Sequence, residues 1–210
     1  MLNAVGIAVA ALVLFMAFSM GWRWASRRWS LPCPSLLAWS LDNPLVQRSP
    51  STSKTLDRID VQPGEKVLEI GPGPGRLLIP AAMRVLPGGE VVGIDVQPKM
   101  VERLSQNAEK AGVTNLMAIL GDATQPHVPE ASFDLAFLCM TLGEIPDRSV
   151  ALAQCYRALK PGGRLSVTEL ILDPHYQSRS TVRRLAEGVG FQFVSIEGGW
   201  WFYTASFVKP

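Results

Sequence analysis

The sequence predicts a doubly wound α/β domain, with a mostly parallel sheet, helices on both faces and an antiparallel C-terminal hairpin strand, preceded by one N-terminal transmembrane helix. Three observations carry that reading. No charged side chain occurs from Met1 to Trp22, and Arg23, Arg27 and Arg28 follow at once. Short apolar runs then alternate with helix-like stretches between Lys66 and Leu159, the pattern of a parallel sheet covered by helices. Near the C-terminus two apolar runs flank Glu197-Gly198-Gly199, a connection too short for the crossover that a parallel pair needs.

The N-terminal run sets the first boundary. A helix from Leu2 to Trp22 would be roughly 30 Å long, the thickness of a hydrocarbon core. A cleaved secretory signal would begin with a cationic segment and hold a shorter apolar core, and nothing basic precedes this one. The run also lacks the amphipathic face of a helix packed on a soluble core. Trp22, Trp24 and Trp29 stand where an aromatic belt anchors a helix end, and the three arginines put that end, and the domain behind it, on the cytoplasmic side of a single-pass membrane protein. Residues 1–22 are the expected anchor. Residues 23–50, basic and interrupted by Pro32, Pro34, Pro44 and Pro50, form a juxtamembrane linker that lies on the bilayer or folds over an active site. Residues 51–210 suffice for one domain with a single core.

Composition narrows the partners. Lys and Arg number 20 against 18 Asp and Glu, and three of the basic residues belong to the membrane boundary, so no nucleic acid is expected. Cys33, Cys139 and Cys155 are odd in number and lack metal-ligand spacing, so neither a disulfide framework nor a metal is expected.

Within the domain, Ser51 and Ser53 can cap a short helix ending at Ile59. Lys66 to Ile70 reads as the first strand, the glycine loop leads into a helix over Leu77 to Leu86, and Gly88-Gly89 precede a second strand, Glu90 to Ile94. Pro98 suits the first turn of a helix that Gly112 stops. Leu116 to Leu120 and Phe133 to Leu138 are the third and fourth strands, and Asp147 caps a helix ending near Leu159. Arg164 to Leu172 is a fifth strand, Ser178 to Gly188 a helix, and Phe191 to Ile196 with Trp201 to Val208 the hairpin, which places a reversed strand at one side of the sheet.

The chemistry concentrates in Glu69-Ile-Gly71-Pro-Gly73-Pro-Gly75-Arg76, between the first strand and the first helix after it. Glycines let a backbone approach a ligand closely, and a strand-to-helix turn gathers amide donors. Nicotinamide dehydrogenases use a related turn, but their spacing requires glycine at position 76. A tight structural turn is the plainer explanation until its partners are counted. Asp95 ends the second strand, 24 residues after Gly71, where a carboxylate can accept both hydroxyls of a ribose. Asp122 and Ala123 close the third strand and could read an adenine edge. Three strands thus end in one nucleoside site at the carboxyl edge of the sheet.

These pieces resemble the class I S-adenosylmethionine-dependent methyltransferases, in particular the small-molecule branch that methylates quinones and phospholipids. The matching segments are VLEIGPGPG (Val67 to Gly75), VVGIDVQPKM (Val91 to Met100), GDATQPHVPEASFDLAF (Gly121 to Phe137) and LKPGGRL (Leu159 to Leu165). The resemblance implies a seven-stranded Rossmann-like sheet with the final strand reversed, and S-adenosyl-L-methionine as cofactor. By the same resemblance Glu69, Gly71, Gly73 and Gly75 hold the methionine part, Asp95 binds the ribose, Met100 packs near the adenine, Asp122 and Ala123 contact its edge, and backbone near Leu138 and Cys139 completes the pocket. Pro72 and Pro74 depart from the family loop and remove two amide donors, leaving the backbone contacts to the glycines and Arg76.

Acceptor-side candidates follow the fourth and fifth strands. His175 is the first choice for a base or orienting group, with Tyr176 and Glu144 next, and a capping role for His175 is the alternative. His127 reads as a solvent-exposed or cofactor-rim residue. The Asn/Asp-Pro-Pro-aromatic signature of nucleic-acid and protein amide methylators is replaced by Leu138-Cys139-Met140-Thr141. The expected acceptor is a small, lipophilic molecule from the bilayer, a phospholipid headgroup amine or a quinone. A soluble metabolite, or a catalytically silent cofactor-binding protein, are the rival readings.

Overall fold

The computed structural model describes residues 51–125 and 128–210 throughout, Pro50 at the start of a helix, and in the N-terminal segment only positions 6, 9, 13, 16, 17, 20, 21 and 24, all helical. The expected anchor and linker lie mostly outside the described residues, as do His127 and Cys33. Among the described residues no helix is long and apolar enough to cross a membrane.

In chain order the domain comprises α1 (Pro50–Ile59), β1 (Lys66–Ile70), α2 (Leu78–Arg84), β2 (Glu90–Asp95), α3 (Pro98–Lys110), β3 (Leu116–Leu120), β4 (Phe133–Cys139), α4 (Arg148–Ala158), β5 (Leu159–Leu170), α5 (Arg179–Gly188), β6 (Gln192–Gly198) and β7 (Phe202–Val208). The strands form one sheet in the order β3-β2-β1-β4-β5-β7-β6. Strand alternation divides the apolar side chains between two layers. Val67, Val91, Leu135 and Phe137 pack with α1, α2 and α3, whereas Leu68, Ile94, Ala136 and Leu138 pack with α4 and α5. Helices therefore cover both faces.

Local chemistry explains the element ends. Pro98 occupies the first turn of α3, and the Asp147 carboxylate accepts from the Val150 amide to cap α4. Ser178 caps α5 by accepting from the Thr181 amide. Ser51 and Ser53 behave differently from expectation: α1 starts at Pro50, both serines lie inside it, and the Ser53 hydroxyl accepts from Arg84 on α2.

The hairpin is antiparallel, but its reversed strand is not outermost. β7 sits between β5 and β6, antiparallel to both, and β6 forms the edge. Burial decides this placement: Tyr203, Thr204, Ala205 and Phe207 of β7 are buried, whereas Gln192, Val194 and Glu197 of β6 are exposed.

From β1 the chain builds outward through β2 to β3, then returns to lay β4 on the other side of β1. Connections after β1 and β4 consequently leave in opposite directions and open a crevice at the carboxyl edge.

Candidate cofactor and acceptor site

A cavity of about 400 Å³ occupies that crevice, within the range of small-molecule sites. Glu69, Gly71, Gly73 and Arg76 line it from β1 and the following loop, Asp95 from β2, Met100 from α3, and Asp122 with Ala123 from the end of β3. Cys139 lines it at the end of β4, Glu144 after that strand, and Asp173 after β5. Of the thirteen residues expected in the site, Gly75, Leu138, His175 and Tyr176 are not on this wall.

The glycine loop is wired to β2. Gly71 takes φ +70°, a conformation that L side chains avoid, and a side chain there would also run into Thr141. The Gly71 amide donates to the Ile94 carbonyl at 2.8 Å, that of Gly73 to Asp95 Oδ2 at 3.1 Å, and that of Gly75 to the Pro72 carbonyl at 3.0 Å. The Gly71 and Gly73 amides are thus engaged with β2, and that of Gly75 within the loop itself. Close backbone approach beside Gly73, where no atom lies near a would-be Cβ, is what the loop offers instead. Gly75 packs away from the cavity: a Cβ there would stand 2.6 Å from Leu104 Cδ1 and 2.8 Å from Ile79 Cδ1. Leu138 points into the core with Leu68 and Ala136.

Asp95 is held at both oxygens. Gly73 donates to Oδ2, and the Gln97 amide donates to Oδ1 at 2.9 Å. Burial raises its pKa, against the lowering by those two amides. The carboxylate is therefore preorganised at the wall, with lone pairs remaining on each oxygen. Asp122 is exposed and turns its Oδ1 to the Thr124 amide and hydroxyl at 2.7 and 2.8 Å.

Glu69 supplies the most telling electrostatic feature. It is 3% exposed, and its Oε2 has no hydrogen-bond partner among the described residues. Burial pushes its carboxyl up to about 8, Arg76 opposes that rise and Asp95 adds to it. A buried acceptor on a cavity wall fits a positively charged ligand group. S-adenosylmethionine carries such groups at its methionine end, so the residues present suit it.

Arg76, expected to contribute only its backbone, lines the cavity, and its Nη2 donates to Cys139 Sγ at 3.3 Å. The Cys139 thiol is pushed up to about 12, chiefly by burial, which leaves it neutral and unfit as a nucleophile. Thr141 was also missed. Its hydroxyl lies 3.1 Å from the Cys139 carbonyl and 3.4 Å from that of Gly71, bracing β4 against the glycine loop.

On the acceptor side the three candidates take different places. Glu144, at the end of a 3-10 turn over Leu142–Glu144, is on the wall. His175 is 4% exposed and packs so tightly under Gly143 that no side chain would fit there. It does not cap α5, which Ser178 does. Its amide donates to Asp173 Oδ1 at 2.7 Å, so the wall receives Asp173, held from behind by the His175 backbone. The Tyr176 hydroxyl donates to the Trp200 carbonyl at 2.9 Å. Behind this loop, Glu169 is 1% exposed, accepts from the Gln177 amide at 3.0 Å, and has its carboxyl raised to about 8 by burial. Nothing in the sequence distinguishes Asp173 from His175, because loop direction rather than residue type selects between them.

The description of a methyltransferase domain fits residues 67–163. This stretch, just under half of the chain, is similar to methyltransferase domains, in line with the motifs that the sequence carries. The chain is 38% identical over 125 residues to nocamycin O-methyltransferase of Saccharothrix syringae, covering 60% of this chain and 45% of that protein. It is 32% identical over 115 residues to demethylmenaquinone methyltransferase of a Geobacillus species, covering 55% and 49% respectively. The chain spans about half the length of these curated relatives. Its fold is that of a SAM dependent methyltransferase from Aquifex aeolicus, with a TM-score of 0.78 and 21% identity over 85% of this chain and all of that one. Among the described residues no group of three or more His, Cys, Asp or Glu side chains is placed to hold a metal ion.

Proposed function

We propose that this protein transfers a methyl group from S-adenosylmethionine to a small lipophilic acceptor, a phospholipid headgroup amine or a quinone, while held at a membrane by its N-terminal helix. The observation that carries the cofactor assignment is the convergence of the unpaired Glu69 oxygen, the clamped Asp95 carboxylate and Met100 on one cavity. Glu69 would face the cationic methionine end, Asp95 the ribose hydroxyls, and Asp122 with Ala123 the adenine edge. When bound, the cofactor supplies an electrophilic methyl with a good leaving group, so positioning the acceptor in line contributes much of the acceleration. Glu144 and Asp173 are the residues at the wall that can orient an acceptor amine or hydroxyl. His175 holds Asp173 and acts as a positioning residue.

Membrane attachment rests on the charge-free run from Met1 to Trp22 and on the exposure of its described helical side chains Val9, Val13, Met16 and Met20. The domain would face the cytoplasm, following the arginines after that run. Membranes containing the protein, incubated with methyl-labelled cofactor, should yield label in one lipid-extractable product. Label confined to a water-soluble product would overturn the lipophilic acceptor. A relative named nocamycin O-methyltransferase favours a second reading, in which an oxygen of a soluble small metabolite is methylated; comparing rates on bilayer-dispersed and dissolved acceptors separates the two.

A further inference from the structure

Three large apolar side chains crowd the carboxyl edge beside the cavity. Leu172 is 79% exposed, Trp200 68% and Trp201 53%. They belong to one surface: the Ile171 amide donates to the Trp201 carbonyl at 2.8 Å, and the Tyr176 hydroxyl donates to the Trp200 carbonyl. Those bonds fix the backbone of the turn between β6 and β7 while its indoles stay outside. A core role would bury the rings, so their fixed exposure marks a surface made for contact.

Three features say what covers it. Asp173, the neighbour of Leu172, lines the cavity, so the patch adjoins the acceptor end of the site. The helix that receives the linker, α1, lies against the same strand, with the Arg58 guanidinium 5.0 Å from the ring of Phe202, the residue after Trp201. The stretch from Arg23 to Ser49 can reach at most roughly 90 Å even when fully extended. A domain tethered that closely meets the bilayer at high effective concentration, so a small patch suffices for docking. Tryptophan is the side chain best suited to the headgroup boundary, with an apolar body and one N–H donor.

We infer that Leu172, Trp200 and Trp201 form a bilayer-docking patch that sets the cavity mouth against the lipid surface. The inference rests on the proposed membrane attachment and adds the orientation of the domain on the membrane.

A spin label reports it in the full chain carrying Cys33→Ser. One variant places the label at Leu172→Cys, the other at Met117→Cys on β3, 60% exposed at the opposite edge of the sheet. In phosphatidylcholine–phosphatidylglycerol vesicles, lipid-soluble oxygen should relax the label at 172 several-fold more than a water-soluble nickel chelate does, with the reverse at 117. Adding Trp200→Ser and Trp201→Ser should bring the ratio at 172 to that at 117. Preferential relaxation by nickel at 172 overturns the proposal. Spin–spin broadening at 172 that vanishes on dilution with unlabelled protein overturns it in favour of a second copy of the chain. Retention after an alkaline wash tests the anchor separately. A chain washed off the vesicles while its 172 label is lipid-accessible loses the anchor and keeps the patch, and a retained chain with a water-accessible label does the opposite.

Discussion

Asp95 gives one oxygen to the glycine loop and the other to the start of α3, so its carboxylate cannot swing away when the cavity fills. Asp95→Ala should weaken cofactor binding by about 1.5 to 3 kcal/mol, the contribution of charge-assisted hydrogen bonds. Unchanged affinity by calorimetry would remove the ribose from that position. Glu69 differs, because its Oε2 has no hydrogen-bond partner among the described residues and its carboxyl is raised to about 8 by burial. A cation favours the ionised form, so cofactor affinity should rise as pH increases through about 8. Glu69→Gln should remove that component of the pH dependence in titration calorimetry while the ligand's own amine titration persists. A slope identical to that of the unmodified protein would mean that Glu69 does not meet the cationic end.

The strands β1 to β4 are legible in the sequence because each is a short, mostly apolar run, and Gly71, Asp95 and Gly121 mark the ends of β1 to β3, whereas their order in the sheet is set by packing. The place of β7 inside the sheet is not legible, since it depends on which hairpin strand has the more apolar pair of faces. Asp95 and Asp122 are legible because strand ends fix them, whereas His175 and Tyr176 sit in a loop whose path no periodicity records. Gly75 shows the same limit at the glycine loop. Its spacing looks ligand-directed, but its φ of +95° and its contacts with Ile79 and Leu104 make it the joint that seats the loop on α2 and α3. Gly75→Ala combines a left-handed backbone penalty with overpacking, and should cost about 2 to 4 kcal/mol of stability. Urea unfolding checks this: the midpoint should fall with the slope unchanged. A midpoint equal to that of the native sequence would show that the joint can relax.

For the whole molecule, the buried acids couple the site to stability. Glu69 on β1 and Glu169 on β5 titrate at their ordinary 4.5 in the unfolded chain, but burial holds each at about 8 in the fold. Between those values the folded state binds more protons than the unfolded state, so stability decreases as pH rises. The contribution is fully present below about 4.5 and is lost as pH passes through about 8. Asp134 works in the other direction. Burial raises its pKa, but the Lys160 ammonium at 2.6 Å and the Lys66 amide outweigh that and lower it, so its contribution is lost on acidification. Asp134 is more exposed than either glutamate, and its ion pair is correspondingly screened by solvent. The two glutamates should therefore dominate. The cofactor-free chain should show a urea midpoint that falls steadily between pH 4.5 and about 8, and Glu69→Gln with Glu169→Gln should flatten that fall. A midpoint that climbs over this interval would mean that both carboxylates find a cationic or hydrated environment in the folded protein, and Glu69 would then not be the desolvated acceptor that a cationic ligand group could pair with.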